Sequence, residues 1–379
     1  MATTSPPLID TPPDLYIGLM SGTSLDGVDA ALVDFSQVSP NLLATHWLPY
    51  PDDLKTALLA LHEPGPNELD LSSRLANQLA ELYAEATHAV LAHAGASHTT
   101  VRAIGCHGQT VRHQPARGYT IQINNAARLA ELTGITSVAD FRSRDIAAGG
   151  QGAPLVPAFH AHCFGDPNEH RVIVNIGGIS NLTDLPSNGG PGGGQVRGWD
   201  CGPGNLLMDA WTRRCFGCDY DAGGAIAARG HIDAALLSRM LAHPFLSSPP
   251  PKSTGREDFS LDWLLALVQE TSLSEDVLAT LTEFTARGIA DAIKQHCPGT
   301  QAVYLCGGGA HNQTLVTHLA ALFPATRVEP TDRLGIAVDW VEAAAFAWLA
   351  KRTLEGRSGN LPAVTGARGE RILGAIYPA

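Results

Sequence analysis

Residues 16–35 read YIGLMSGTSLDGVDAALVDF. The apolar run 16–20 predicts a strand, 21–27 a turn rich in Ser, Gly and Thr, and 28–35 the returning strand, with Asp29 near its start. Two such runs across a short polar turn predict a β-hairpin. Gly22 and Gly27 tolerate positive φ and let a ligand approach bare backbone. Ser21, Thr23 and Ser24 add hydroxyl groups, and successive N–H groups in such a turn can cradle an anion. No GK[ST] follows, so this is not a Walker A loop. Read alone, the stretch is equally an ordinary Gly/Ser hairpin turn.

The same layout returns about 155 positions later. RVIVNI (171–176) predicts a strand, Gly177-Gly178 the turn and 179–185 the return, with Asn175 and Asn181 flanking it. Two related halves, each with a phosphate-facing hairpin, would clamp a nucleotide between them. Length agrees, since 379 residues exceed what one hydrophobic core usually serves. With 44% hydrophobic and 16% charged residues the composition is that of a globular protein. A net charge of −12 argues against a nucleic-acid surface. No run approaches the roughly 18 apolar residues of a membrane span. The Pro-rich stretch 1–13 lacks a charged start and an apolar core, so it reads as a disordered tail rather than a signal peptide. Seven cysteines, odd in number and irregular in spacing, favour a reducing cytoplasm over a disulfide framework. Cys215 and Cys218 form a lone CxxC; a zinc site would need a second pair, so they read as incidental thiols.

Between and after the hairpins, strands alternate with helices, which indicates an α/β layer fold. Helical spacing covers 54–61 and 73–93, the second with Leu75, Leu79, Leu82, Ala86 and Val90 on one face. The strand 101–106 runs into His107-Gly108-Gln109-Thr110, where open α/β sheets place ligand groups. His107 there serves either as a catalytic group or as a satisfied structural histidine. Strands are expected at 119–123 and 135–139, with a helix at 124–132 between them. DFRSRDIAAGGQGAPL (140–155) shows no useful periodicity and reads as a long ordered loop, either functional or a solvated salt-bridged surface. Its Arg142 and Arg144 offer planar forks for carboxylate or phosphate.

SNGGPGGG (187–194) reads as a flexible hairpin tip. RGWDCGPGN (197–205) puts Asp200 at a strand end, and Gly202-Pro203-Gly204 turns tightly into a helix over 206–216 whose N-terminus favours an anion. Asp200 is a candidate general base, or simply a turn cap. SSPPPKST (247–254) reads as a loop, and Ser272 to Glu275 as a capping box for a helix running to His296. A strand at 302–306 enters Gly307-Gly308-Gly309 and then a helix, a turn against which a flat ligand can lie. An Ala-rich helix over 339–354 carries Glu342 and stops at Gly356.

Taken in order, MSGTSLDGVD (20–29), GCHGQT (105–110), DFRSRDIAAGGQGAPLVPAFH (140–160), NIGGISNL (175–182), DCGPGNLLMDAW (200–211), PKSTGRE (251–257) and CGGGAHN (306–312) resemble the anhydro-N-acetylmuramic acid kinases. These belong to the sugar kinase, heat-shock chaperone and actin superfamily. The likeness extends from about residue 16 to the segments at 360–362 and 365–367. Departures are the Pro-rich start, the insert at 187–194, and Cys201 where a threonine is expected.

The resemblance implies a two-lobed α/β fold of actin-like, ribonuclease H-like type with a central cleft. The first lobe would comprise 1–138 plus 342–379 and the second 139–341. It implies an ATP- and Mg²⁺-dependent kinase of the cytoplasm, in cell-wall recycling. The enzyme would hydrolyse the 1,6-anhydro bond of anhydro-N-acetylmuramic acid and phosphorylate O6. Gly22, Thr23, Ser24, Leu25, Asp26, Gly27, Val28 and Asp29 match the family's ATP segment, joined by Gly177, Gly178, Gly307, Gly308 and Gly309. Asp200 matches the base that deprotonates the attacking water, and Glu342 a second acid near it. Sugar-side contacts are expected from His107, Gln109, Arg142, Arg144, Asp145, Gln151 and Asn205. A homodimer is left open, as are the Mg²⁺ ligands. Two alternatives stand beside this reading. One is another sugar kinase or polyphosphate phosphatase of the superfamily. The other is a non-enzymatic ATP-binding module whose output is a conformational change.

Overall fold

The computed structural model describes residues 12–22, 25–37, 39–188 and 194–379. Thr23, Ser24, most of the Pro-rich start and most of the glycine-rich tip at 187–194 lie outside the described residues. In chain order the strands are β1 (Leu15–Met20), β2 (Gly27–Asp34), β3 (Asn41–Pro49), β4 (Val101–Cys106), β5 (Gln109–Gln114), β6 (Tyr119–Ile123) and β7 (Ser137–Ala139). They continue as β8 (Arg171–Ile176), β9 (Ile179–Leu185), β10 (Arg197–Pro203), β11 (Ala302–Cys306), β12 (Arg327–Pro330) and β13 (Ala375–Tyr377). Five helices matter below: α1 (Glu68–Ala94), α2 (Leu206–Phe216), α3 (Ser274–His296), α4 (Gln313–Ala321) and α5 (Val341–Leu354).

Both expected hairpins form. β1 pairs antiparallel with β2, and β8 with β9. The sheets that grow from them share one topology. In the first, the order is β13-β7-β4-β1-β2-β3, and in the second β10-β9-β8-β11-β12. Each therefore has a three-stranded antiparallel meander followed by two strands parallel to its first: β1 beside β4 and β7, β8 beside β11 and β12. Parallel neighbours need a crossover, and the long amphipathic helices lie in those connections. This duplicated strand order is the ribonuclease H-like α/β arrangement that the sequence resemblance implies.

The chain divides into two compact units. One comprises Met1–Ala147, Glu342–Gly359 and Arg371–Ala379, the other Ala148–Val341 and Asn360–Glu370. The sequence reading puts all of 342–379 in the first lobe and begins the second at 139. Here Asn360–Glu370 groups with the second unit, where Gln151 N–H donates to Thr365 O at 2.8 Å and Arg368 N–H to Ala148 O at 2.9 Å. Each unit has its own apolar core. In the first, Leu75, Leu79, Ala86 and Val90 of α1 pack with Ile17, Leu19, Val28, Leu32 and Ile104, while Leu82 is only partly buried against them. In the second, Val172, Val174, Val303 and Leu305 of the sheet pack with Leu281, Phe284 and Ile289 of α3.

Two local expectations are corrected and a third is narrowed. No capping box forms at Ser272; α3 starts at Ser274 behind Leu273 with no side-chain cap. The Ser272 N–H instead closes a turn onto Gln269 O at 3.0 Å, which leaves that residue outside the helix. Residues 140–155 are not all loop, because Ser143–Ala147 forms a short helical turn that buries Asp145 and Ile146. At the start of α2 the Leu206 N–H is already engaged, together with the two N–H groups before it. The N–H groups of Gly204, Asn205 and Leu206 donate to Gly178 O, Gly177 O and Gly178 O at 2.9, 2.8 and 3.1 Å.

Candidate functional site

In the first unit the hairpin turn is braced from below. Ser21 Oγ lies 2.9 Å from the Tyr83 hydroxyl of α1 and donates to Gly108 O at 3.0 Å. Gln109 Nε2 donates to Gly22 O at 3.0 Å, and the Tyr50 hydroxyl donates to Gln109 Oε1 at 3.4 Å. Gln109 is wholly buried, so its amide is committed to holding the turn. Leu25, at φ 57°, and Val28 are core residues. A Cβ on Gly27 would sit 2.4 Å from Leu48 O, so this glycine admits β3. Asp26 is exposed, its Oδ1 accepting from Gly27 N–H at 3.1 Å, and Asp29 is half-buried on β2. Tyr83 and Gln109, with Tyr50 behind them, thus fix the Ser21-Gly22 end of the hairpin.

Beside it, His107, Arg142 and Glu342 come together. Arg142 Nε and Nη2 lie 3.1 and 2.9 Å from His107 Nε2. A guanidinium can only donate, so Nε2 accepts and the proton sits on Nδ1, 3.2 Å from Ser21 O. Burial, with Arg142 adding to it, holds His107 well below the usual imidazole range, so the ring is neutral. Burial lowers Arg142 to about 10, opposed by Glu342. Burial also raises the Glu342 carboxyl, opposed by Arg142. Glu342 stands in the first turn of α5, whose depth is set by two glycines. Gly18 and Gly105 are register partners on β1 and β4. A Cβ on Gly18 would fall 1.7 Å from Ala343 O, and one on Gly105 1.9 Å from Phe346 O. Only glycine lets the α5 backbone lie directly on these strands.

In the second unit Asp200 sits at a β-bulge: it faces Asn181, while Gly202 faces Ser180, with Cys201 extra between them. Bulges of this kind re-aim a side chain. Asp200 N–H donates to Lys252 O at 3.1 Å, and Thr254 N–H donates to Asp200 Oδ2 at 2.9 Å. Lys252 Nζ is anchored on Phe245 O and Leu246 O at 3.0 and 3.1 Å. Burial lifts the Asp200 carboxyl to about 6, offset by the Thr254 N–H and by Lys252. A carboxylate poised near neutral pH, with one oxygen tethered, suits a general base.

The two glycine turns of this unit are latched together. Asn205 Nδ2 donates to Ile176 O at 3.2 Å, and the latch described above joins 204–206 to Gly177 and Gly178. The triple glycine divides by role. Gly307, at φ 79°, would place a Cβ 2.3 Å from Asn175 Oδ1, and Gly309 one 2.2 Å from Ile176 Cγ2. Gly308 has only Asn205 Nδ2, at 3.9 Å, and Gly178 has nothing within 4 Å. The fold requires glycine at 307 and 309 and leaves bare backbone open at 308 and 178, which suits close approach of a ligand.

Of the remaining candidates, Arg144 and Gln151 are exposed and Asp145 is buried. Gln151 belongs to the second unit, with Asp200 and Asn205, and the other expected sugar contacts to the first. The sequence reading missed the roles of Lys252 and Thr254, although PKSTGRE was visible as a motif. It also missed the roles of Gly18 and Gly105, single glycines inside apolar strands, a pattern that itself marks close backbone approach. Among the described residues no three His, Cys, Asp or Glu side chains converge to hold a metal ion, and no helix is long and apolar enough to cross a membrane.

Residues 14–379 match the model of a family described as anhydro-N-acetylmuramic acid kinase. The chain is similar to proteins of that name from Thiobacillus denitrificans (58% identity over 368 residues, 96% of this chain and 97% of the relative) and Nitrosomonas europaea (55% over 366 residues, 96% and 99%). A third, from Chromobacterium violaceum, is 54% identical over 369 residues, again 96% and 99%.

Proposed function

The chain belongs to the anhydro-N-acetylmuramic acid kinase family, and from that premise we propose that it opens 1,6-anhydro-N-acetylmuramic acid with water while phosphorylating O6 from ATP. The observation that carries the reading is Asp200, a bulge-presented carboxylate raised to about 6 and held by the 251–257 loop. Asp200 takes a proton from water as the water oxygen bonds to C1. The C1–O6 bond breaks, and O6 keeps its electron pair. O6 then bonds to the γ-phosphorus as the bond to the β-phosphate oxygen breaks. The products are N-acetylmuramic acid 6-phosphate, ADP and a proton. Glu342 is assigned as a second acidic residue of the reaction; burial raises its carboxyl, and the Arg142 charge opposes that rise.

Bare backbone at Gly178 and Gly308 supports a nucleotide reading, because phosphoryl transfer depends mostly on positioning and charge neutralisation. Asn205, packed between the glycine turns, fits the nucleotide side better than the sugar side. The donor set fits a Mg²⁺ ion borne on phosphates and water, which proteins usually contact through one or two carboxylates. Asp26 and Asp29 are the carboxylates that the first hairpin carries. Such an ion supplies neutralisation of the transferring phosphoryl group. The chemistry places this enzyme in amino-sugar salvage from cell wall.

Incubation with ATP and the anhydro sugar should give one phosphorylated reducing sugar per ADP. ADP without sugar product would favour a conformational ATPase. A phosphorylated sugar with its anhydro ring intact would favour a plain kinase.

Two further results are expected. The base must be ionised in the free enzyme, so kcat/KM should fall about tenfold per pH unit below about 6, where Asp200 gains its proton. A pH profile flat to about 5 would contradict this. Gly308→Val should raise KM for ATP on the order of tenfold or more and leave KM for the sugar nearly unchanged, a discrimination worth about 1.4 kcal/mol. Gly309→Val should instead lower thermal stability, since its Cβ meets Ile176. Equal effects on both KM values in Gly308→Val would contradict the assignment.

A further inference from the structure

We propose that His107 is a positioning residue, which fixes the Arg142 guanidinium for Glu342, and not a contact to the sugar. The inference rests on the reading of Glu342 above. The ring has little left to offer a substrate. It is 4% exposed, Nε2 is taken by two donors of Arg142, and Nδ1 lies on Ser21 O. Its face packs against Phe346 at 4.7 Å between centroids, one helical turn beyond Glu342 on α5.

Three elements therefore meet on one imidazole: the base of the hairpin turn through Ser21, the segment after β7 through Arg142, and α5 through Phe346. Phe346 also touches Phe141, the neighbour of Arg142, at 5.6 Å between centroids. The chemistry of the ring matters as well as its shape. Arg142 stays a cation in a buried setting only if its donors are met. A neutral acceptor meets them and leaves the Arg142 charge to act on Glu342, whereas a carboxylate at 107 would compete for that charge. A neutral Nδ1–H imidazole is what can accept from Arg142 and donate to Ser21 at once.

The test uses the full chain with ATP and the anhydro sugar. In the free protein, ¹⁵N shifts of the His107 ring should report the neutral Nδ1–H tautomer between about pH 5 and 8. His107→Leu should lower kcat on the order of 10²-fold, the scale of a misplaced reacting group, with sugar KM changed less than about threefold. His107→Gln presents an amide oxygen to Arg142 and should recover at least tenfold of that loss. In the double variant with Glu342→Gln, the His107→Leu loss should largely disappear, since coupled residues are not additive.

The proposal is overturned by a titrating or Nε2–H ring, by a sugar KM raised tenfold with kcat intact, by a Gln variant as slow as the Leu variant, or by losses that multiply in the double variant. Should Glu342→Gln alone keep normal kcat, it is the reading of Glu342 that fails. The ring tautomer then still tests what His107 does for Arg142, including where His107→Leu does not fold.

Discussion

Asp200→Asn should fold, bind ATP and sugar, and turn over on the order of 10²–10⁴ times more slowly, the usual loss for a general base. The structure explains why folding should survive. Thr254 N–H donates to Oδ2, and an amide oxygen can accept the same bond. The Asp200 N–H bond to Lys252 O is backbone and is untouched. The bulge stays, because Gly202 with φ 134° and Pro203 remain. What is lost is the capacity to take a proton from water. Ring opening supplies the O6 nucleophile, so the hydrolysed sugar and the phosphate ester should vanish together. If Asp200 only caps a turn, Asn serves as well, and turnover near normal would leave a nucleotide-binding fold without this mechanism.

Gly18→Ala should be among the most damaging small substitutions in the chain. The added methyl would lie 1.7 Å from Ala343 O and 2.7 Å from Ala347 N, so neither strand nor helix can yield by turning a side chain. Overpacking costs typically 1–3 kcal/mol; with backbone on both sides, about 3 kcal/mol is expected. At roughly 2–4 °C per kcal/mol, Tm should drop by about 6–12 °C. Protein that stays folded must lift α5, and Glu342 with it, so kcat should fall on the order of 10²-fold. Gly105→Ala, 1.9 Å from Phe346 O, should behave alike. Gly65→Ala, with nothing within 4 Å, should stay within about 0.5 kcal/mol of wild type. Calorimetry on the three variants checks the ordering, and an unchanged Tm for Gly18→Ala would contradict the packing of α5.

Much of the fold was legible because its signals are local. An apolar run, a glycine turn and a second apolar run mark each hairpin, and 171–176, 179–185 and 206–216 have the bounds that the pattern predicts. The helix of 73–93 shows the right face but starts early, at Glu68, since helix ends carry weaker signals than periodic faces. The strand Asn41–Pro49 lies at a sheet edge with alternating exposure and shows Trp47 and Leu43 to solvent, a pattern without a strong apolar run.

The site was legible as a set of residue types but not as an arrangement. That Asp200 is tied to Thr254, 54 residues away, cannot be read from spacing. Nor can the pairing of His107 with Arg142, or the passage of α5 over Gly18 and Gly105. The capping pattern at Ser272 failed because a backbone turn to Gln269 competes for the same residue. Helix-start motifs describe what a residue can do, and tertiary context decides whether it does.

On this mechanism, water activated by Asp200 opens the anhydro bond in the same turnover that phosphorylates O6. A single turnover in H₂¹⁸O, read by mass spectrometry of the sugar phosphate and its fragments, locates the oxygen that water supplies. One ¹⁸O on C1, none in the phosphoryl group, and phosphate on O6 are expected. Label in the phosphate, or a phosphorylated sugar without ¹⁸O at C1, would contradict it.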